Sequence, residues 1–215
     1  MRQILFTGVE ALGFVGFIAL LTGASIVLQA QVLLPQFGTS DMMGPLLVTI
    51  VIRELGPLLI NIFVIARSGN AIAIELGQMK IHGEIRALRI QGIDPGIYLV
   101  MPRVLALCVS IVCLTIYFCA ASLTSGWLLH VALQRDLAGS FNFLDSVAGA
   151  IGTADVLNVI AKTVAPALAI GMISCTEGLN VGVATDVPQA ASRAIKRSVI
   201  WVCVISAFVS ALTYL

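Results

Sequence analysis

Val51-Ile52-Arg53-Glu54-Leu55-Gly56-Pro57-Leu58-Leu59-Ile60-Asn61 sets two adjacent charges inside a stretch that is otherwise strongly apolar from Met42 to Ala66. A helix of that length crosses a hydrocarbon layer of roughly 30 Å at about 1.5 Å per residue. A charged side chain near the middle of a span is disfavoured by a few kcal/mol even on lenient insertion scales of about +2.5 to +3.5 kcal/mol, so Arg53 and Glu54 have to be paired or face a polar cavity. Neighbouring residues on a helix point in different directions and pair poorly with each other. Gly56-Pro57 follows at once, and a proline there removes a backbone donor and bends the helix where the charges sit. Two readings remain open and are compatible: an ion pair to another span, for instance Glu54 with Lys162, or a polar lining for a substrate.

The rest of the chain supports a membrane setting. Hydrophobic residues make up 59% of the 215 positions, charged residues 11%, and the mean hydropathy is +1.05. One soluble core cannot hide that much apolar surface, which makes this an all-α integral membrane protein. A net charge of +1 excludes a surface built for polyanions, and no nucleic-acid partner is expected. Cys108, Cys113, Cys119, Cys175 and Cys203 lie in apolar runs with no C-x-x-C and no Cys/His cluster, and read as packing residues. The first apolar run is too long for a cleaved signal peptide.

About five spans are expected, at residues 4–30, 42–66, 98–129, 156–178 and 198–215, within a single domain covering 1–215. Gly8, Gly13, Gly16 and Gly23 in the first suit close helix contacts. Polar connections are expected at 33–41, 67–97, 131–155 and 179–197. With the N-terminus cytoplasmic, nine of the twelve basic residues fall on the inside: Arg2, Arg67, Lys80, Arg86, Arg89, Arg103, Arg193, Lys196 and Arg197. An even number of spans follows instead if residues 131–155 dip into the membrane.

Glu75 to Pro95 reads as a short amphipathic helix, with Ile81, Ile85, Leu88 and Gly92 on one side and Lys80, Glu84, Arg86 and Arg89 on others. Such a helix either lies on anionic lipid or inserts into a groove on a partner protein. Catalytic signatures are missing. There is no G-x-x-x-x-G-K-[ST], His82 and His130 form no H-E-x-x-H, and Ser68 has no histidine placed to activate it.

Five pieces in register carry a resemblance: Arg53-Glu54-Leu55-Gly56-Pro57, Ala66-Arg67-x-Gly69, Glu75-Leu76-Gly77-x-Met79, Gly92-Ile93-Asp94-Pro95 and Pro102-Arg103. Together they resemble the signature of the MlaE family of ABC-transporter permeases, over a match from about Arg2 to the C-terminus. The resemblance implies a multi-pass permease of the bacterial inner membrane that works as a homodimer and moves phospholipid between membranes. It implies as partners a cytoplasmic ABC ATPase, which binds the ATP, and an MCE-domain lipid-binding protein. No cofactor is expected in this chain. Arg53, Glu54, Asn61 and Lys162 are then the substrate-binding set near the dimer axis. Residues 75–95 become a cytoplasmic coupling helix, with Glu75, Lys80, Glu84, Arg86, Arg89 and Asp94 facing the ATPase.

Three departures stand beside the resemblance. The family's N-terminal interfacial helix has no counterpart before the first span, Ser206 stands where an acidic residue is expected in the last span, and 185–197 lacks the family's Gly/Thr-rich pattern apart from Arg193. A stand-alone secondary transporter, or a structural membrane subunit, is the competing reading. The first typically shows an inverted repeat, which this sequence lacks.

Overall fold

The computed structural model describes residues 2–33, 43–134 and 145–214, and all regular secondary structure in them is helical. Five helices are long and apolar enough to span a membrane. The first, α1, is Arg2–Leu33. The second, α2, is Gly44–Ile81, followed by the short α3, Glu84–Ile90. Next come α4, Gly96–Leu133, a six-residue helix α5 at 145–150, α6, Thr153–Leu179, and α7, Val187–Tyr214. The parts of the expected connections at 34–42 and 135–144, with Asp136, lie outside the described residues.

The bundle is organised around α2, which packs on α4, α6 and α7, while α1 lies along α4 and α6 pairs with α7. Its core is a continuous cluster including Val15, Val48, Val51, Ile60, Val64, Ile111, Phe118 and Ile170. Of the five spans, α2 is the most enclosed and α7 the least.

Three expectations need correction. Residues 67–97 are not one polar connection, because α2 continues unbroken to Ile81 and its 38 residues extend about 57 Å, well past a bilayer's hydrocarbon. Small residues explain this. The hydrogen of Gly69 faces Ser174 and that of Gly77 faces Val181 and Val187, so the polar-looking stretch is packed against α6 and the start of α7. Nor is 75–95 one amphipathic helix: the chain breaks at Gly83 (φ 79°) and Gly92 (φ 77°), left-handed positions that favour glycine. Likewise the expected polar stretch 179–197 is mostly the first turns of α7.

Candidate functional site

The charge cluster begins with the irregular winding of α2. Val48–Leu55 is π-helical, and the Gly56 N–H reaches the Val51 carbonyl five residues back. π-turns are rare and cluster at functional sites. This one carries Arg53 and Glu54.

Each charge finds a partner on another helix. Lys162 Nζ, on α6, sits 2.7 Å from Glu54 Oε1; the lysine side chain is fully buried while that of Glu54 keeps 41% of its surface open. Arg53 Nε sits 2.6 Å from Asp155 Oδ1 and its Nη2 donates to Oδ2 at 3.2 Å. Asp155 also accepts the Gly152 N–H at 2.9 Å, closing the first turn of α6. From α7, the Ser210 hydroxyl donates to Glu54 at 3.1 Å. Two cations and two anions are thus held on α2 and α6, neutral as a set, which is how ionised groups are tolerated among membrane spans.

Two prolines account for the remaining polar contacts. Pro57 has no N–H to offer the Arg53 carbonyl four residues earlier. The Lys162 ammonium donates to that oxygen at 2.9 Å. On α6, Pro166 likewise cannot serve the Lys162 carbonyl, and the buried Asn61 donates its Nδ2 to it at 3.0 Å. Each helix therefore supplies the side chain that caps the carbonyl freed by the other's proline. Asn61→Leu should destabilise the protein by about 1–3 kcal/mol, the penalty of an orphaned buried acceptor. In a Pro166→Ala background, where a main-chain N–H returns to that carbonyl, the loss should shrink by about 1 kcal/mol. A double-mutant cycle of unfolding in mixed micelles reads the coupling; strict additivity would show that the carbonyl does not link the two residues.

The substrate-binding set named from the sequence is therefore brought together: Arg53, Glu54, Asn61 and Lys162 share one cluster, with Asn61 enclosed and turned onto Lys162's backbone. The sequence does not single out Asp155 or Ser210. It places Asp155 at the end of a polar connection, although Gly152-x-x-Asp155 is a helix-start signal. Ser210 carries no signal of its own in an apolar run.

At the other end of the bundle, Glu75 pairs with the buried Arg103 at 2.9 Å, tying α2 to α4. Lys80 Nζ caps the end of α6 at the Leu179 carbonyl, 2.6 Å away. Glu177 holds Arg193 at 3.3 Å and also Arg197, fixing the α6–α7 corner. Asp94 accepts the Gly96 N–H at 2.8 Å to start α4. Of the six residues expected to face an ATPase, Glu75, Lys80 and Asp94 thus have structural partners, while Glu84, Arg86 and Arg89 are exposed along α3.

A family model described as Permease MlaE matches residues 1–212. A probable ABC transporter permease protein of Rickettsia typhi is 29% identical over 215 residues, all of this chain and 82% of the relative. The intermembrane phospholipid transport system permease protein MlaE of Haemophilus influenzae is 28% identical over 198 residues, 91% of this chain and 75% of that protein. The chloroplastic protein TRIGALACTOSYLDIACYLGLYCEROL 1 of Arabidopsis thaliana is 29% identical over 202 residues, 93% of this chain and 57% of that protein.

Proposed function

The chain belongs to the MlaE permease family, and from that premise we propose that it is the membrane subunit of an ABC transporter that moves phospholipid between membranes. ATP binding and hydrolysis belong to a separate cytoplasmic ATPase, and an MCE-domain protein exchanges lipid on the far side. The chain sits in a bacterial inner membrane with its N-terminus in the cytoplasm, the orientation that puts most lysines and arginines inside. Two copies pair across the open faces of α2 and α7, so that the exposed side of Glu54 looks into a cavity between them.

One observation supports this reading above the others: the charge cluster stands on a helix that runs unbroken to the segment proposed to couple to the ATPase. Between Arg53 and Ile81, α2 has no break, and it leads directly into α3 across Gly83. That stretch is about 40 Å long at 1.5 Å per residue. Closure of the ATPase against Glu84, Arg86 and Arg89 tilts α2, and the tilt changes how Glu54 and Arg53 meet the lipid phosphate. A lipid bound equally in both states would not be moved, so this change in exposure is the working step.

Reversing both charges, Arg86→Glu with Arg89→Glu, should reduce ATP-dependent lipid transport in proteoliposomes at least tenfold and weaken recovery of the ATPase on the permease. The cluster is remote from both sites, so the bundle should stay intact. Full transport by that variant would remove α3 from the coupling role. A stand-alone carrier would be indicated by lipid movement that persists with no ATPase present.

A further inference from the structure

On α6 the face that carries the charge cluster holds a third polar residue. Asp155, Asn158 and Lys162 fall at i, i+3 and i+7, within about 60° of one another around the helix, and all three are buried. Asp155 is committed to Arg53 and to the Gly152 N–H, and Lys162 to Glu54 and to the Arg53 carbonyl. Asn158 is committed to nothing: at 3% exposure, neither its Nδ2 nor its Oδ1 has a hydrogen-bond partner among the described residues. Asn61, the other buried amide of the cluster, at least has its Nδ2 engaged.

A buried amide with both ends unmade weighs against the folded state, and native structures keep such groups few. What it can serve is a second arrangement of the same charges. Of the three N–H groups on the Lys162 ammonium, two go to Glu54 and to the Arg53 carbonyl. Lys162 is fully buried, so no solvent replaces the Glu54 carboxylate when that half-open side chain turns outward. Asn158 precedes Lys162 by four residues, the spacing at which helical side chains meet, and its Oδ1 is an acceptor with no prior claim. Asp155 is not equivalent, since an ammonium moved there would compete with Arg53.

We propose that Asn158 is the second seat of the Lys162 ammonium, taken when Glu54 turns away and given up when Glu54 returns. Asn158 is a positioning residue, acting on the lipid only through Lys162 and Glu54. A neutral amide holds a cation more weakly than a carboxylate does, so the exchange runs back, whereas a carboxylate at that place would keep the lysine. The role rests on the phospholipid reading above and deepens it, because it supplies the alternative partner that a moving Glu54 requires.

The first measurement is the thermal midpoint of the full chain in mixed micelles, for the wild type, Glu54→Gln, Asn158→Asp and the double variant. Asn158→Asp alone adds a further carboxylate to a neutral set and should lower the midpoint. In the Glu54→Gln background the same substitution hands a carboxylate back to Lys162 and should raise the midpoint by about 4 °C or more. A fall in both backgrounds would put residue 158 out of reach of Lys162 and overturn the proposal. The second measurement is transfer of fluorescent phospholipid by the permease–ATPase complex in proteoliposomes. Asn158→Leu, an apolar side chain with the same branching, should keep the midpoint at or above the wild-type value, because no bond is lost. It should lower the maximal ATP-driven rate roughly tenfold or more and leave the half-saturating lipid fraction unchanged. A normal rate, or a loss that only follows a fall in assembled complex, would make Asn158 a packing residue and overturn the second seat. A wild-type complex that moves no lipid would count against the proposed function, while the melting series still decides whether residue 158 reaches Lys162.

Discussion

Replacing Glu54 with lysine should abolish ATP-driven lipid transport, a loss of at least a hundredfold, and Glu54→Gln should lower it more than tenfold with the complex still assembled. The two variants separate charge from contact. Lys162 is fully buried and its ammonium meets the Glu54 carboxylate at 2.7 Å. Removing the partner of a buried charge destabilises by about 3–5 kcal/mol, and placing a second cation there adds repulsion. Some loss of folded protein is therefore expected for Glu54→Lys. Glutamine is different: its amide oxygen still accepts from Lys162 and from Ser210, so the contacts remain and only the negative charge goes. If Glu54 served structure alone, Glu54→Gln would transport lipid at close to the normal rate. That outcome, with normal amounts of complex, would take Glu54 out of the mechanism and leave the cluster as an internal brace. The measurement is transfer of fluorescent phospholipid from proteoliposomes, normalised to assembled complex.

The neutrality of the cluster shapes the mechanism this result would support. On the proposed mechanism a phosphate approaching Arg53 competes with the carboxylate already in place, and a cation released by one partner needs another at once. Exchange of partners avoids an isolated charge among the spans, whereas simple release would incur the full desolvation penalty. Glu54 suits the exchange because it is half open while Asp155 is enclosed. On the proposed mechanism Asp155 would hold Arg53 in position, and Glu54 would be the carboxylate that yields.

Much of this was legible in the sequence, for physical reasons that also mark where legibility stops. Spans declare themselves through continuous apolar length, so the five-helix membrane fold could be read directly. The Glu54–Lys162 pair could be named as one option because buried charges need partners and few were available. Arg53–Asp155 could not, since Asp155 reads as the edge of a polar connection and not as part of a span. Ser210 is hidden for another reason: an uncharged hydroxyl in an apolar run demands no partner on another helix. Pro57 announced a distortion, but which side chain would cap the freed carbonyl depends on how α6 is rotated against α2. Arg67 and Ser68 looked like the end of a span because polarity along the sequence does not distinguish water from a packed neighbour. In the structure Ser68 is buried and α2 runs on.

The glycines of α1 show the same gap between composition and placement, and they carry the second large effect. Gly13, Gly16 and Gly23 are alike in sequence terms, yet a Cβ on Gly13 would meet nothing within 4 Å. On Gly23 it would fall 2.0 Å from the Ser122 carbonyl oxygen and 2.3 Å from Ser125 Oγ, both on α4. Gly16 is intermediate, its nearest neighbour being the Tyr117 hydroxyl at 2.6 Å, the far end of a side chain that can turn away. Every fourth residue of α1 from Ala11 to Val27 is buried, and close backbone approach along such a seam is what holds helices together where lipid competes equally for apolar side chains. Overpacking usually destabilises by about 1–3 kcal/mol, more when backbone has to move. Gly23→Leu should therefore separate α1 from α4 and reduce folded protein in the membrane to below a tenth of normal, read by detergent-resistant size-exclusion recovery. Gly16→Ala should lower thermal stability only modestly, and Gly13→Leu should leave both unchanged. A graded series of that order ties the loss to contact with α4; equal loss at all three positions would show instead that α1 is sensitive to glycine replacement as such, and the α1–α4 seam would lose its place as the contact that sets the bundle.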